Sequence, residues 1–211
     1  MIDNFFFSFE SFEKEIEKKL FIQKLNSKTI FEKFLLNLKN FQNININSIK
    51  KTFEILNSLP FNDIYNNYLT HPIRVADMFG LIDKNQNDEK INFALCHNII
   101  ESGFLNKVKK INLNHNQLKK IEILTIDRDS EYNENYLNKY YDQIENFSSD
   151  LILFKCCDKL DNTLLGNKDI LGGNHHFHIV KQHVCPRAKK YNSKLANYLY
   201  ELVEYIEKQT T

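Results

Sequence analysis

Apolar residues recur along most of this chain at the three- and four-residue spacing of a helix face, and no stretch alternates as a strand does. After Ser11, the residues Phe12, Ile16, Leu20 and Phe21 line one face. Ser27-Lys28-Thr29 opens a second run through Ile30, Phe34, Leu35 and Leu38. Asn47-Ser48 opens a third through Ile49, Phe53, Ile55 and Leu56, which Pro60 stops. Residues 1–60 therefore read as a helical extension whose apolar faces serve packing or homo-oligomerisation. Further on, Thr70 is the expected N-cap of a helix carrying His71 to Leu81. The stretch DKNQNDEK (83–90) reads as a solvated loop, followed by a helix from about Asp88 to Ser102. Another helix is expected over Asn116–Leu124, and one over Tyr132–Ile144 with its aromatic stripe in the core. Ser148-Ser149-Asp150 caps a helix through Leu151, Phe154, Asp158 and Leu165. Gly166, Gly172 and Gly173 mark a loop, and Pro186 opens a last amphipathic helix to about Lys208. The expectation is an all-α fold, a helical bundle over 61–211 preceded by the 1–60 extension.

Composition sharpens this picture. The 211 residues include only 5 Gly and 3 Pro, too few breakers for a many-turned sandwich or barrel. With 28 Lys+Arg against 27 Asp+Glu the net charge is +1, which removes any global electrostatic case for nucleic acid or an anionic membrane. No uninterrupted apolar run reaches the roughly 18 residues a membrane helix needs. The apolar patch at the N-terminus lies among acidic residues with no basic segment before it, so it does not read as a signal peptide. Cys96, Cys156, Cys157 and Cys185 lack zinc-ribbon spacing and read as reduced and buried, hence cytoplasmic. The chain holds 28 Asn, so a single Asn carries little weight as a signal.

Three segments put polar groups on otherwise apolar helices: THPIRVADMFG (70–80), ALCHNIIESG (94–103) and LILFKCCDKLDNTLL (151–165). A buried charge costs several kcal/mol unless it is paired or bound to metal. His71, His97 and Asp158 sit among Ile, Val, Ala, Leu and Cys, so something must compensate them. Two imidazoles and a carboxylate suit one divalent cation, Mn, Fe or Zn rather than Ca. The plainer readings are a hydrogen-bonded core for each His and a pair on one helix between Asp158 and Lys155 or Lys159. A second cluster, NHHFHIVKQH, carries His175, His176, His178 and His183. Four His so close can bind a transition metal, but the spacing fits no defined zinc module, and a surface loop is the favoured reading.

The order of these motifs resembles the HD-domain phosphohydrolases. It runs His-Pro-aliphatic-Arg-Val-Ala, then Leu-x-His-x-Ile-Ile-Glu, then Leu-Thr at Thr125, then Lys-x-x-Asp-x-x-Asp-Asn. The nearest resemblance is to the RelA/SpoT-type alarmone (ppGpp) hydrolases and the small stand-alone HD proteins, over about residues 62–165. It implies a hydrolase with an HD helical bundle that acts on a nucleotide with a divalent metal, Mn2+ before Fe or Zn. Residue by residue, it implies His71, His97 and Asp158 as metal ligands and Glu101 as the group that handles the attacking water. Asn162 would touch the nucleotide, and Lys155 or Arg74 would offset phosphoryl charge. The chain departs from the pattern at Asn98, where the family has a ligating Asp, and at Ser102, where it has a second acidic residue. The family's basic residues before the first His are replaced by Asn62 and Asp63, and its Arg-Thr by Leu164-Leu165. A degenerate HD protein that binds a nucleotide or a partner without turnover is the alternative reading.

Overall fold

The computed structural model describes residues 5–39, 44–61, 68–83, 86–106, 111, 113–165 and 173–209. Among them every regular element is helical, as the spacing of apolar residues predicts. The chain forms two compact units, divided inside the first helix and after Thr125. The first unit is Met1–Phe7 with Phe21–Thr125, and the second is Ser8–Leu20 with Ile126–Thr211.

The first unit contains α2 (Ser27–Leu38), α3 (Ile46–Asn57), α4 (Thr70–Ile82), α5 (Asp88–Cys96) and α6 (His115–Leu124). Helix α2 packs on α3 and α4, and α5 lies against α3, α4 and α6. Its core is aromatic and aliphatic: Phe6, Phe34, Ile30, Ile49, Leu56 and Ile73 are buried, and Phe31 stacks on Phe53 at 3.8 Å between ring centroids. The second unit contains most of α1 (Phe12–Gln23), then α7 (Glu134–Phe147) and α8 (Ser149–Thr163). A continuous helical run follows: α9 (Asn174–Ile179), a π-helical turn (Val180–Val184) and α10 (Cys185–Ala188). Helix α11 (Ser193–Gln209) closes the unit. Helix α8 is central, packed on α7, the π turn, α10 and α11. Phe154 and Leu160 of α8 and Leu199 and Leu202 of α11 are all buried where the two helices pack.

Asparagine does more local work than its abundance suggested. Asn26, Asn45, Asn87, Asn114 and Asn133 each accept a backbone N–H at a helix start. Asn114 and Gln117 complete a reciprocal capping box. Ser148 caps α8 as expected, its side chain accepting from Leu151 N at 3.1 Å. Ser148→Ala should cost about 1 kcal/mol in chemical denaturation, and Ser148→Asp should retain most of that stability.

Several boundaries differ from the sequence reading. Thr70 is the first residue inside α4 and not its cap; Leu69 precedes it in helical conformation and no side chain caps this end. Gln86, expected in a solvated loop, is buried. Tyr132 is 73% exposed and lies outside the aromatic core, whereas Tyr140 and Tyr141 are buried. Pro186 does not open the last helix; it sits in α10, and α11 starts at Ser193. A proline cannot donate to the carbonyl four residues back and crowds it. The wider π turn just before Pro186, closed by Cys185 N–H to Val180 O, accommodates that defect within one helical run. The expected loop glycines Gly166 and Gly172, like Asn62 and Asp63, lie outside the described residues.

Candidate functional site

His71 and His97 come together within the first unit. His71 stands in the first turn of α4, and His97 caps the C-terminus of α5, which packs on α4. Their ring centroids are 5.2 Å apart. His97 is buried, and its Nδ1 lies 2.7 Å from the Ala94 carbonyl. A carbonyl only accepts, so Nδ1 carries the proton and Nε2 presents its lone pair. That is how a metal-ligating histidine is commonly oriented.

The chain after His97 is not the continuous helix that the spacing predicted. Helix α5 ends at Cys96, and 97–103 is a run of turns. The run closes as a Schellman motif: Phe104 N–H bonds Ile99 O at 3.1 Å, Gly103 N–H bonds Ile100 O at 2.9 Å, and Gly103 has φ of 73°. Glycine enters that left-handed region at little cost, so the helical pattern is cut short there. Glu101, one residue before the cap, is exposed. Ser102 Oγ lies 2.9 Å from Asn98 O and 3.1 Å from the Tyr68 hydroxyl, so it is engaged locally. Tyr68 itself stacks on Phe61 at 3.8 Å, and Phe104 meets Phe61 edge-on at 5.0 Å. No motif marked Tyr68; an aromatic that far from Ser102 in the chain gives no periodic signal.

Arg74, a candidate for phosphoryl charge, is a core residue of this unit. It is fully buried and Nη1 donates to Phe6 O at 2.9 Å. Asp77 on the same helix accepts from Asn37 Nδ2 at 2.9 Å.

Asp158 belongs to the second unit, buried on α8. Lys155 Nζ lies 3.0 Å from Oδ2, one turn before it, and Asn162 Nδ2 donates to Oδ1 at 3.2 Å, one turn after. The single-helix pair is thus real, and Asn162, expected on a nucleotide, holds the carboxylate.

Among the protein-family models, curated proteins and solved structures compared with the chain, none matches. The chemistry therefore has to be read from its own side chains.

The thiols are excluded as nucleophiles. Burial pushes Cys96 and Cys185 up to about 12 and Cys156 well above its ordinary value, so no thiolate forms near neutral pH. All four cysteines are buried and free.

The histidine cluster is not a surface loop. His176 and His183 are buried, and all four His lie in the α9–π run. His176 Nε2 is 2.9 Å from Thr163 Oγ1, whose own proton goes to Lys159 O at 2.7 Å, so His176 is the donor. Burial is the main reason that its pKa falls to about 3, with the Lys159 charge second. A buried His with a depressed pKa stabilises the fold above its unfolded pKa, near 6.5, and progressively less as pH falls toward 3. Between pH 6.5 and 5 this histidine should remove about 2 kcal/mol of stability. Denaturation midpoints across that window should flatten in His176→Gln.

No helix among the described residues is long and apolar enough to cross a membrane.

Proposed function

We propose that the chain is a metal-dependent phosphohydrolase acting on a nucleotide, with a ppGpp-like guanosine polyphosphate as the preferred class. The single observation that carries this reading is the His71–His97 pair, with His97 Nδ1 turned to a backbone carbonyl and Nε2 left as the lone-pair donor. Imidazole donors fit a divalent ion of the Mn, Fe or Zn type. His71 and His97 would hold it, and the family resemblance implies Asp158 as a further ligand. When bound, such an ion lowers the pKa of water and polarises a phosphoryl oxygen.

The chain's own groups supply the rest. Glu101, exposed at the end of the turn after His97, orients the attacking water and takes its proton. Lys155 pairs with Asp158 and offsets phosphoryl charge. Arg74, held in the core, serves packing. Asn98 supplies a neutral amide where a carboxylate would complete the ligand set, so metal affinity is lower than with an Asp there.

The test is turnover of ppGpp, pppGpp, nucleotides and nucleotide pyrophosphates with Mn2+, read as released phosphate or pyrophosphate. Asp158→Ala should abolish both hydrolysis and one equivalent of bound metal. Absence of turnover on every substrate with metal bound would reject the enzyme reading. One observation favours the second reading, a binding protein without catalysis: Ser102 is tied to Asn98 O and Tyr68 and offers no acid–base group. Under that reading the protein still binds ppGpp in calorimetry, and Asn98→Asp with Ser102→Glu gains hydrolysis.

A further inference from the structure

We propose that Glu134, His178 and His183 form a transition-metal site of the kind taken by Zn2+, built on the second unit alone. One donor atom from each residue lies within 4.8 Å of the other two. His178 Nε2 is 3.0 Å from Glu134 Oε2, and His183 Nε2 is 3.0 Å from Oε1, so each imidazole faces its own carboxylate oxygen. Around a tetrahedral ion with bonds of about 2.0–2.1 Å, neighbouring donors sit about 3.3 Å apart. The Glu–His separations need open by only a few tenths of an ångström.

Backbone geometry explains why two residues five apart in sequence share a side. On an α-helix, five residues turn through about 500°, which sets the two side chains about 140° apart. The π turn over Val180–Val184 adds a residue to the turn between them and brings His183 round to His178. Their ring centroids are 5.8 Å apart.

His183 gives the independent sign of a ligand. It is 1% exposed; Nδ1 has no hydrogen-bond partner, and Nε2 faces only the Glu134 carboxylate, 3.0 Å from Oε1. A buried polar group in that state is costly, and an ion between His183 and the carboxylate satisfies it. Tyr141 stacks on the His183 ring at 5.3 Å and holds its plane. Glu134 and His178 are about half exposed, which provides an entry path and an open coordination position beside three protein ligands. Arg187 donates to His183 O at 3.0 Å and is paired with Asp142 at 2.6 Å.

Protonation states agree with ligation. Burial holds His183 below its ordinary value, and the His178 hydrogen bond holds the Glu134 carboxyl below the usual range. Neutral imidazole and ionised carboxylate are the ligand forms. Three protein ligands leave a position for water or a substrate donor.

The experiment is Co2+ absorption and Zn2+ equilibrium dialysis on the untagged full chain. One equivalent should remain in a His71→Ala/His97→Ala variant, with tetrahedral Co2+ bands. Glu134→Gln and His178→Ala should weaken that equivalent by at least about 100-fold, while circular dichroism stays unchanged because both side chains are exposed. In the otherwise unaltered chain, either change should remove one equivalent and leave any other. Retention of the same binding in both variants, or no metal bound to the unaltered chain, would overturn the site and leave Glu134–His178 as an ion pair.

Discussion

Replacing Lys19 with Met should remove about 3–5 kcal/mol of stability, the largest single loss expected from a side chain outside the candidate sites. Lys19 lies on α1 and pairs with Asp161 of α8; both belong to the second unit, and their side chains are 2% and 0% exposed. Two charges withdrawn from water are tolerated because each satisfies the other. Removal of the ammonium leaves a buried carboxylate with its strongest counter-charge gone. Lys19→Met/Asp161→Leu should recover most of the loss, because a well-packed apolar pair often matches a buried ion pair in stability. Urea denaturation of the two single variants and the double variant measures the coupling directly. A loss below about 1 kcal/mol in Lys19→Met would show that the pair is solvent-screened, as surface pairs are.

His97→Ala should lower metal affinity and hydrolysis together, by at least about 100-fold. The Ala94 carbonyl fixes the His97 tautomer, so the side chain is set for one donor direction before any ion arrives. Since His97 is buried, His71→Ala, at a half-buried position, is the companion variant: it should reproduce the metal loss with little change in melting temperature. Asn98→Asp should move metal affinity the other way, because a carboxylate adds counter-charge beside the same pair. If His71→Ala and His97→Ala leave metal content and turnover unchanged, the imidazole pair is a core contact and the phosphohydrolase proposal fails.

The candidate sites were legible in unequal measure. His71, His97 and Asp158 stood out because a polar group on an apolar helix face breaks a periodic pattern, and the fold buries His97 and Asp158. The pairing of Asp158 with Lys155 was legible too, since residues three apart share a helix face. The reading of Glu101 assumed a continuous helix beyond His97; the chain there is instead a run of turns that Gly103 ends, and Glu101 is exposed on it. Glu134 gave no signal at all. It is separated from His178 by 44 residues, and only the packing of α7 on the π turn brings them together.

The sequence by itself determined that the chain is helical, because the three- and four-residue recurrence of apolar side chains is a local property that each segment carries alone. It also determined the start of α8, since the Ser148 side chain reaches the open Leu151 N–H three residues on. Tertiary structure alone decided that Arg74 is a core residue, that Lys19 meets Asp161, and that the histidine-rich stretch is a helix with an extra residue in one turn. Those outcomes depend on which helix covers which face, and that choice is made by burial across long separations in the chain, which no window of neighbouring residues contains.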